Sequence, residues 1–495
     1  MAFRPQHDAR RNTSDSVSKS VQAVLASMRT LGPFASTAMA VLSIGGCATY
    51  SPKPLSDESL KTALATPDEP TLKVMASELA DPALSSIDIS LADGVNPDEA
   101  AVLSVMLNPS LRALRAKRGI ASAETFNAGL LPDPTFSASV DTPFAGASSS
   151  EVTAFGLGIE YPIGDLVDRG ARRTAARLSE QSIDLGVLWN ETLVAARARA
   201  LTYGVSVAGD ALRFLDNEIT LLEDNLARVR RAVSAGQLTA VDLSAARASL
   251  DTARTQRTTL AEQLANVRIE LYTIMGFPPD ANLSVHAEIP TRFDEPIPQL
   301  SDLLKTMENQ RFDLLALRRG YESQEERVRA AILRQFPRFS IGPTLSRDTG
   351  DFLTLGFGLA VDLPVFNANR GQIAIQRATR QQLRQEYAAR LHEARSSLAR
   401  ELNRLASAKE KLGSLRNAER SRASLVETYR TALEQGQVDV LSYYQARRDL
   451  IEARILSAQT AAQIIASRLL IDVISGARGR ARNQPFEHRS GDQHP

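Results

Sequence analysis

The chain has 495 residues, 43% hydrophobic and 23% charged, with a formal net charge of +1. Its length is enough for about three domains, while so small a charge argues against nucleic acid as the main partner, because phosphate binding wants a basic surplus. The single cysteine, Cys47, excludes an intramolecular disulfide and a multi-cysteine zinc site.

Only 5% of residues are aromatic, and Ala, Leu and Arg crowd the stretches with helical period, a bias typical of long helices and coiled coils. Of the five histidines, His7, His488 and His494 lie near the termini, leaving His286 and His392 far apart in the chain. Metal or histidine-based catalysis has little to work with. The sequence also lacks a Gly-rich phosphate loop, GxSxG and HExxH, so an enzyme is the weaker reading.

Residues 1–29 are polar and basic, and 30–46 are mostly small and apolar, ending Ile44-Gly45-Gly46-Cys47. A basic region, a short apolar run and a small-residue cleavage site describe a secretory signal over 1–46. The bland alternative is a buried cysteine at the end of a short core helix. Met28-Arg29 opens a compact signal of its own, so the first 27 residues read as an upstream extension and the true start stays open between Met1 and Met28. From Tyr50 to Val95 the chain is rich in Pro, Ser, Asp and Ala without sustained period. Residues 47–95 are read as an extended linker.

The remainder repeats itself. Ala113-Leu114-Arg115 recurs as Ala316-Leu317-Arg318, FGLGIEYPI from Phe155 as FGLAVDLPV from Phe357, and Asp168-Arg169-Gly170 as Asn369-Arg370-Gly371. Gly236-Gln237 recurs as Gly436-Gln437, and Ala246-Arg247 as Ala446-Arg447. Chance apolar matching does not keep Pro, Gly and Arg in order. The two copies span 96–290 and 298–476, with a tail at 477–495 that reads as disordered.

Each copy opens with a short helix, at 98–106 or 300–308, then a second at 111–129 or 313–334. Two strands follow, at 135–142 and 152–163 in the first copy and at 338–347 and 352–365 in the second. In the last strand Leu353, Leu355, Phe357, Leu359, Val361, Leu363 and Val365 face one way and small or polar residues the other. Such lengths are near the 9–11 residues that cross a bilayer when tilted. Two hairpins per chain are too few for a closed barrel, and open edges in lipid cost several kcal/mol per unpaired group. Closure therefore demands oligomerisation; three chains would bring about twelve strands.

After Pro162 the period changes to threes and fours, from Leu185 through Ala196, Ala200, Tyr203 and Leu215 to Val233. A helix of roughly seventy residues would be on the order of 100 Å long. It reverses at Gly236, and its twin at Gly436, each supplying a C-cap conformation. The returning helices carry their own apolar seams and ask for antiparallel coiled-coil partners.

With these features in order and doubled, the chain resembles the TolC-like outer-membrane efflux family, over about Asn96 to Gly476. The residues that carry the likeness are DEAAVLSVMLNPSLRALRA, AGLLPDP, and the paired tips AGQLTAVDLSAARASL and QGQVDVLSYYQARRDL. Ile44–Cys47 resembles a bacterial lipobox, which makes Cys47 the site of a diacylglycerol and an acyl chain, with no other cofactor. The resemblance implies a mainly α fold with β: a trimeric 12-stranded transmembrane barrel continued by a periplasmic coiled-coil tunnel. It implies a homotrimer in outer-membrane lipid, forming the passive exit duct of a tripartite efflux or type I secretion system. The tips at Gly236, Gln237, Gly436 and Gln437 would meet a periplasmic adaptor attached to an inner-membrane pump, of the RND type. Where several relatives carry carboxylates after the second tip, this chain has Ser442 and Gln445. Asp439 is the nearest acid, as a constriction residue or as an N-cap; Asp242, equivalent in the first copy to Ser442, reads as a solvated acid or an outer-helix tip contact. Arg447 and Arg448 are expected to pair with neighbouring acids. The rival class is a structural coiled-coil lipoprotein without channel activity.

Overall fold

A computed structural model describes residues 50–79, 82–144, 151–288 and 295–476. Cys47, the signal segment, most of the first hairpin's turn and the tail lie outside them. The chain divides into two units, Met1–Ala65 and Thr66–Pro495. The described part of the first holds one short helix, α1 (Asp57–Leu64).

In the second unit, α2 (Glu69–Ser77) and α3 (Pro82–Ser85) precede α4 (Pro97–Leu107) and α5 (Pro109–Gly129). Strands β1 (Thr135–Asp141) and β2 (Ala154–Glu160) lead to α6 (Arg169–Ser234) and α7 (Ala240–Met275). The second copy repeats this order as α8 (Leu300–Gln310), α9 (Phe312–Leu333), β3 (Arg338–Arg347), β4 (Leu353–Asp362), α10 (Arg370–Glu434) and α11 (Val440–Ser475).

The reading of 47–95 as an extended linker is corrected from Glu69 onward. Leu72, Ala76, Leu84, Ile89 and Val95 are buried in one core with α4, α6 and α7. Val95 also forms a parallel bridge to Val285, after α7. Short elements carry too few turns to display a period, so their packing left no pattern in the sequence.

No proline interrupts the chain between Pro162 and Pro278, or between Pro364 and Pro485, which permits helices of 66 residues in α6 and 65 in α10. At 1.5 Å per residue each is about 100 Å long. No described helix is long and apolar enough to cross a membrane. Near the strands α6 packs between α5 and α9; further along it packs between α7 and α11, with α10 beside α11. The α6–α9 contact is made by small residues: Ser182 Oγ donates to the Ala316 carbonyl and Ser323 Oγ to the Ala175 carbonyl, both at 2.7 Å.

The single apolar seam expected on α6 is corrected in its middle. There the expected Ala196 is buried, but the other most buried positions are Ala195, Ala198, Thr202 and Val205, beside rather than on the expected Ala200 and Tyr203, which are half-buried. The reason is that α4 and α7 close over this stretch together, so the helix buries a wide face instead of a coiled-coil stripe. Towards the tip the expectation is met, with Leu215, Leu222 and Val229 buried against Ala246, Leu250 and the α11 residues Val440, Tyr443 and Ile451. Full burial of each such leucine contributes about 2 kcal/mol.

Each returning helix ends at a glycine of positive φ, Gly276 (75°) and Gly476 (73°). A Cβ on Gly276 would lie 2.5 Å from the Leu107 carbonyl oxygen, and one on Gly476 2.8 Å from the Gln310 carbonyl carbon. In both copies, then, the end of the lead-in helix is seated on the glycine that stops the returning one.

Candidate membrane face and hairpin tips

The four strands form one sheet in the order β1-β2-β3-β4, every pairing antiparallel. The register places Phe136 opposite Ile159, Leu157 opposite Leu345, and Leu345 opposite Leu355. Directly opposed residues share a face, so the apolar positions of all four strands fall on one side. On the other lie Ser137, Ser139, Gly156, Gly158, Ser340, Thr344, Gly356 and Gly358. The apolar side is bare: Leu355 is 79% and Phe357 71% exposed. That inverts the usual order for a water-facing sheet, and so large a contiguous apolar surface marks contact with lipid or protein. The outer strands β1 and β4 each have one unpaired edge within the chain.

The middle pairing is tight. A Cβ on Gly342 would lie 1.6 Å from the Ile159 carbonyl oxygen, and Pro343 beside it has no amide to donate. Where the sheet ends, Arg338 donates to Asp362 at 3.0 Å and to Asp165 at 3.3 Å, fastening β3, β4 and the turn after β2. Asp168 is buried and accepts from Arg334 at 2.7 Å and Arg172 at 3.1 Å.

The two hairpin tips are copies of one device. Gly236 (φ 71°) donates to the Val233 carbonyl and Gln237 to the Ala232 carbonyl. Gly436 (φ 68°) and Gln437 repeat this to Leu433 and Ala432. This is the Schellman pattern, which satisfies carbonyls that the last turn would otherwise leave unpaired. All four tip residues are exposed. The helices then restart on caps. Thr239 and Asp242 form a reciprocal capping box, and Asp439 accepts from the Ser442 amide at 2.7 Å and from its hydroxyl at 3.0 Å. Those bonds, the amide first, hold the Asp439 carboxyl below its usual range. The Thr239 hydroxyl and amide do the same for Asp242, against a smaller opposing push from Asp439. Asp439 is thus the cap, and Asp242 is the third helical residue of a capping box not anticipated from the sequence; Ser442 is half-buried under Asp439, while Gln445 is exposed.

Behind the second tip, Arg447 donates to Glu218 of α6 at 2.9 Å and to the Tyr443 hydroxyl at 2.7 Å. Tyr443 meets Tyr444 edge to face, 5.4 Å between centroids, and burial pushes the Tyr444 hydroxyl up to about 12. Pairing of Arg447 was legible from the sequence, but its partner was not; Arg448, expected to pair as well, is exposed and forms no ion pair among the described residues. Sequence reasoning also missed Arg311, buried in a bidentate pair with Asp313 and 4.5 Å from the Trp189 ring. A lone tryptophan beside an arginine on a distant element gives no sequence signal.

A sheet with a bare apolar face, continued by two helices of about 100 Å that each turn back into a helix of 36 residues, is the architecture of a cell-envelope channel protein. The outer membrane efflux protein family matches the chain twice, over residues 104–277 and 303–477, and the chain belongs to that family. It is an outer-membrane exit duct for efflux. The fold is shared with the Campylobacter jejuni CmeC outer membrane channel at 16% identity and a TM-score of 0.65, covering 87% of this chain and 94% of that one. The outer membrane protein VceC of Vibrio cholerae aligns at 15% identity and 0.64, over 77% and 96% of the two chains. The open state of the Neisseria gonorrhoeae MtrE outer membrane channel aligns at 16% and 0.59, over 79% and 95%. Sequence comparison with curated proteins gives no match.

Proposed function

We propose that three copies of this chain close a twelve-stranded barrel in the outer membrane and a helical tunnel through the periplasm. The carrying observation is the open-edged sheet with its bare apolar face, which only neighbouring strands can make tolerable in lipid. The tips at Gly236–Gln237 and Gly436–Gln437 meet a periplasmic adaptor, which links the duct to an inner-membrane pump of the RND type. Asp439, with Ser442 and Gln445 on the next turn of α11, narrows the periplasmic mouth while serving as the cap. Cys47 carries a diacylglycerol and an acyl chain that anchor the chain to the outer membrane; incorporation of labelled palmitate, lost in Cys47→Ser, tests this. No bond is made or broken during transport.

Purified protein in detergent is expected to run as a trimer by light scattering and to give stepwise conductance in planar bilayers. A stable monomer, or a trimer without conductance, would favour the coiled-coil tether instead.

A further inference from the structure

The two hairpin tips share a backbone and differ in charge. Over residues 225–242 the first carries Arg228, Arg230 and Arg231 against one acid, Asp242. Over 425–442 the second carries Glu427, Glu434 and Asp439 against Arg430 alone. The charges are also committed differently. Arg430 is paired with both Glu427 and Glu434, and Asp439 is occupied as a cap. Arg228, Arg230 and Arg231 are exposed and form no ion pair among the described residues. Arg247 is also exposed and forms no ion pair among the described residues, whereas its twin Arg447 is held by Glu218. Asp242, beside the turn, is engaged by the capping box with Thr239.

The second tip, with three acids against one arginine, is therefore net negative, whereas the first is net positive, with exposed guanidiniums open to a partner. Folding did not need them there. The second copy keeps the same Schellman bonds with Thr428 and Thr431 in place of Arg228 and Arg231. We infer that the first tip is the half of the docking surface that selects for acidic partners, and that it takes a helical hairpin with an acidic tip. Resting on the reading of these tips as adaptor contacts, this names the chemistry of the adaptor. Complementary charge raises the encounter rate and rejects like-charged partners, and its effect fades as salt screens it.

The test uses the purified full chain in detergent and two immobilised antiparallel helical-hairpin peptides, identical except for a Glu-rich or a Lys-rich tip. The acidic hairpin is expected to bind about tenfold more tightly than the basic one at low salt, and to lose that advantage near 0.5 M salt. Charge reversal by Arg228→Glu with Arg231→Glu should invert the preference, while Glu427→Gln with Glu434→Gln, which removes negative charge from the neighbouring tip, should preserve or strengthen it. Equal binding of the two hairpins, binding of neither, or indifference to the reversal would overturn the inference. So would dissociation of the reversed variant into monomers, which would assign these arginines to contacts between copies. Bilayer conductance is recorded on the same samples: a conducting wild type without acidic preference refutes only this inference, and a silent one refutes the duct.

Discussion

Arg447, on the returning helix of the second copy, donates to Glu218 on the long helix of the first, 229 positions earlier, at 2.9 Å. The two side chains keep only 12% and 14% of their exposure. Glu218→Ala would leave a guanidinium in the core shared by Tyr443, Leu222 and Leu250, and stranding one partner of such a pair costs about 3–5 kcal/mol. The double variant Glu218→Leu with Arg447→Met should cost far less, since no charge remains to desolvate. Thermal unfolding in detergent checks this: the single variant should melt well below the double, and equal melting points would deny the pair its role.

The tip glycines give a purely conformational test. Nothing lies within 4 Å of a Cβ built on Gly236 or Gly436, so a larger side chain there meets no neighbour. The left-handed backbone alone resists it, by about 1–2 kcal/mol. Gly236→Val should unwind the last turn of α6 and expose the amides of Gly236 and Gln237 to hydrogen exchange, with the sheet untouched. Retained protection at those amides would show that the turn holds without the glycine.

Acid should loosen the same tips. Asp242 and Asp439 have folded values below their ordinary ones. The stability they lend is therefore complete above the unfolded value, about 3.9, and is lost as pH falls through the lower folded value. The protection factors of the Ser442 and Asp242 amides, exchange rates corrected for the intrinsic pH dependence, should fall as pH drops below about 4. Asp439→Asn keeps the cap without the charge, so its Ser442 amide should be insensitive to that pH range.

These tips were readable in the sequence because a glycine between two helical periods has few structural meanings, and because it occurs twice in the same company. The strands were readable for a related reason: one face is apolar and bare and the other carries small or polar residues, so the alternation in Leu353 to Val361 is unbroken. Where an element is touched from several sides, the pattern blurs. Around Ala198 and Thr202 the buried face widened to follow α4 and α7, and no single period could mark it. The packing of Leu72 and Ile89 was hidden because those elements are too short to repeat. Partnerships such as Glu218 with Arg447, or Asp168 with Arg334, join residues whose proximity only the assembled helices create.

The tight centre of the sheet separates two glycines that look alike in sequence. Gly342→Ala would drive a methyl into the Ile159 carbonyl, 1.6 Å from the new Cβ, whereas on Gly358 the nearest atom is the Thr344 methyl at 3.5 Å. The first substitution should break the β2–β3 pairing and abolish outer-membrane assembly, and the second should be tolerated. Heat-modifiable migration of the assembled protein on gels distinguishes them.

The bare face of β4 gives the most direct test of what it touches. Phe357 lies near the middle of the strand on the apolar side, and Thr354 lies on the opposite side. If the apolar side meets lipid, Phe357→Lys places a charge near the bilayer midplane, at a cost of about 2–4 kcal/mol. Thr354→Lys places the same charge towards the water-filled side and should assemble normally. Refolding into vesicles should therefore fail or weaken for the first variant and proceed for the second. Equal refolding would mean that the apolar side is covered by protein, and a reversed order would turn the sheet inside out.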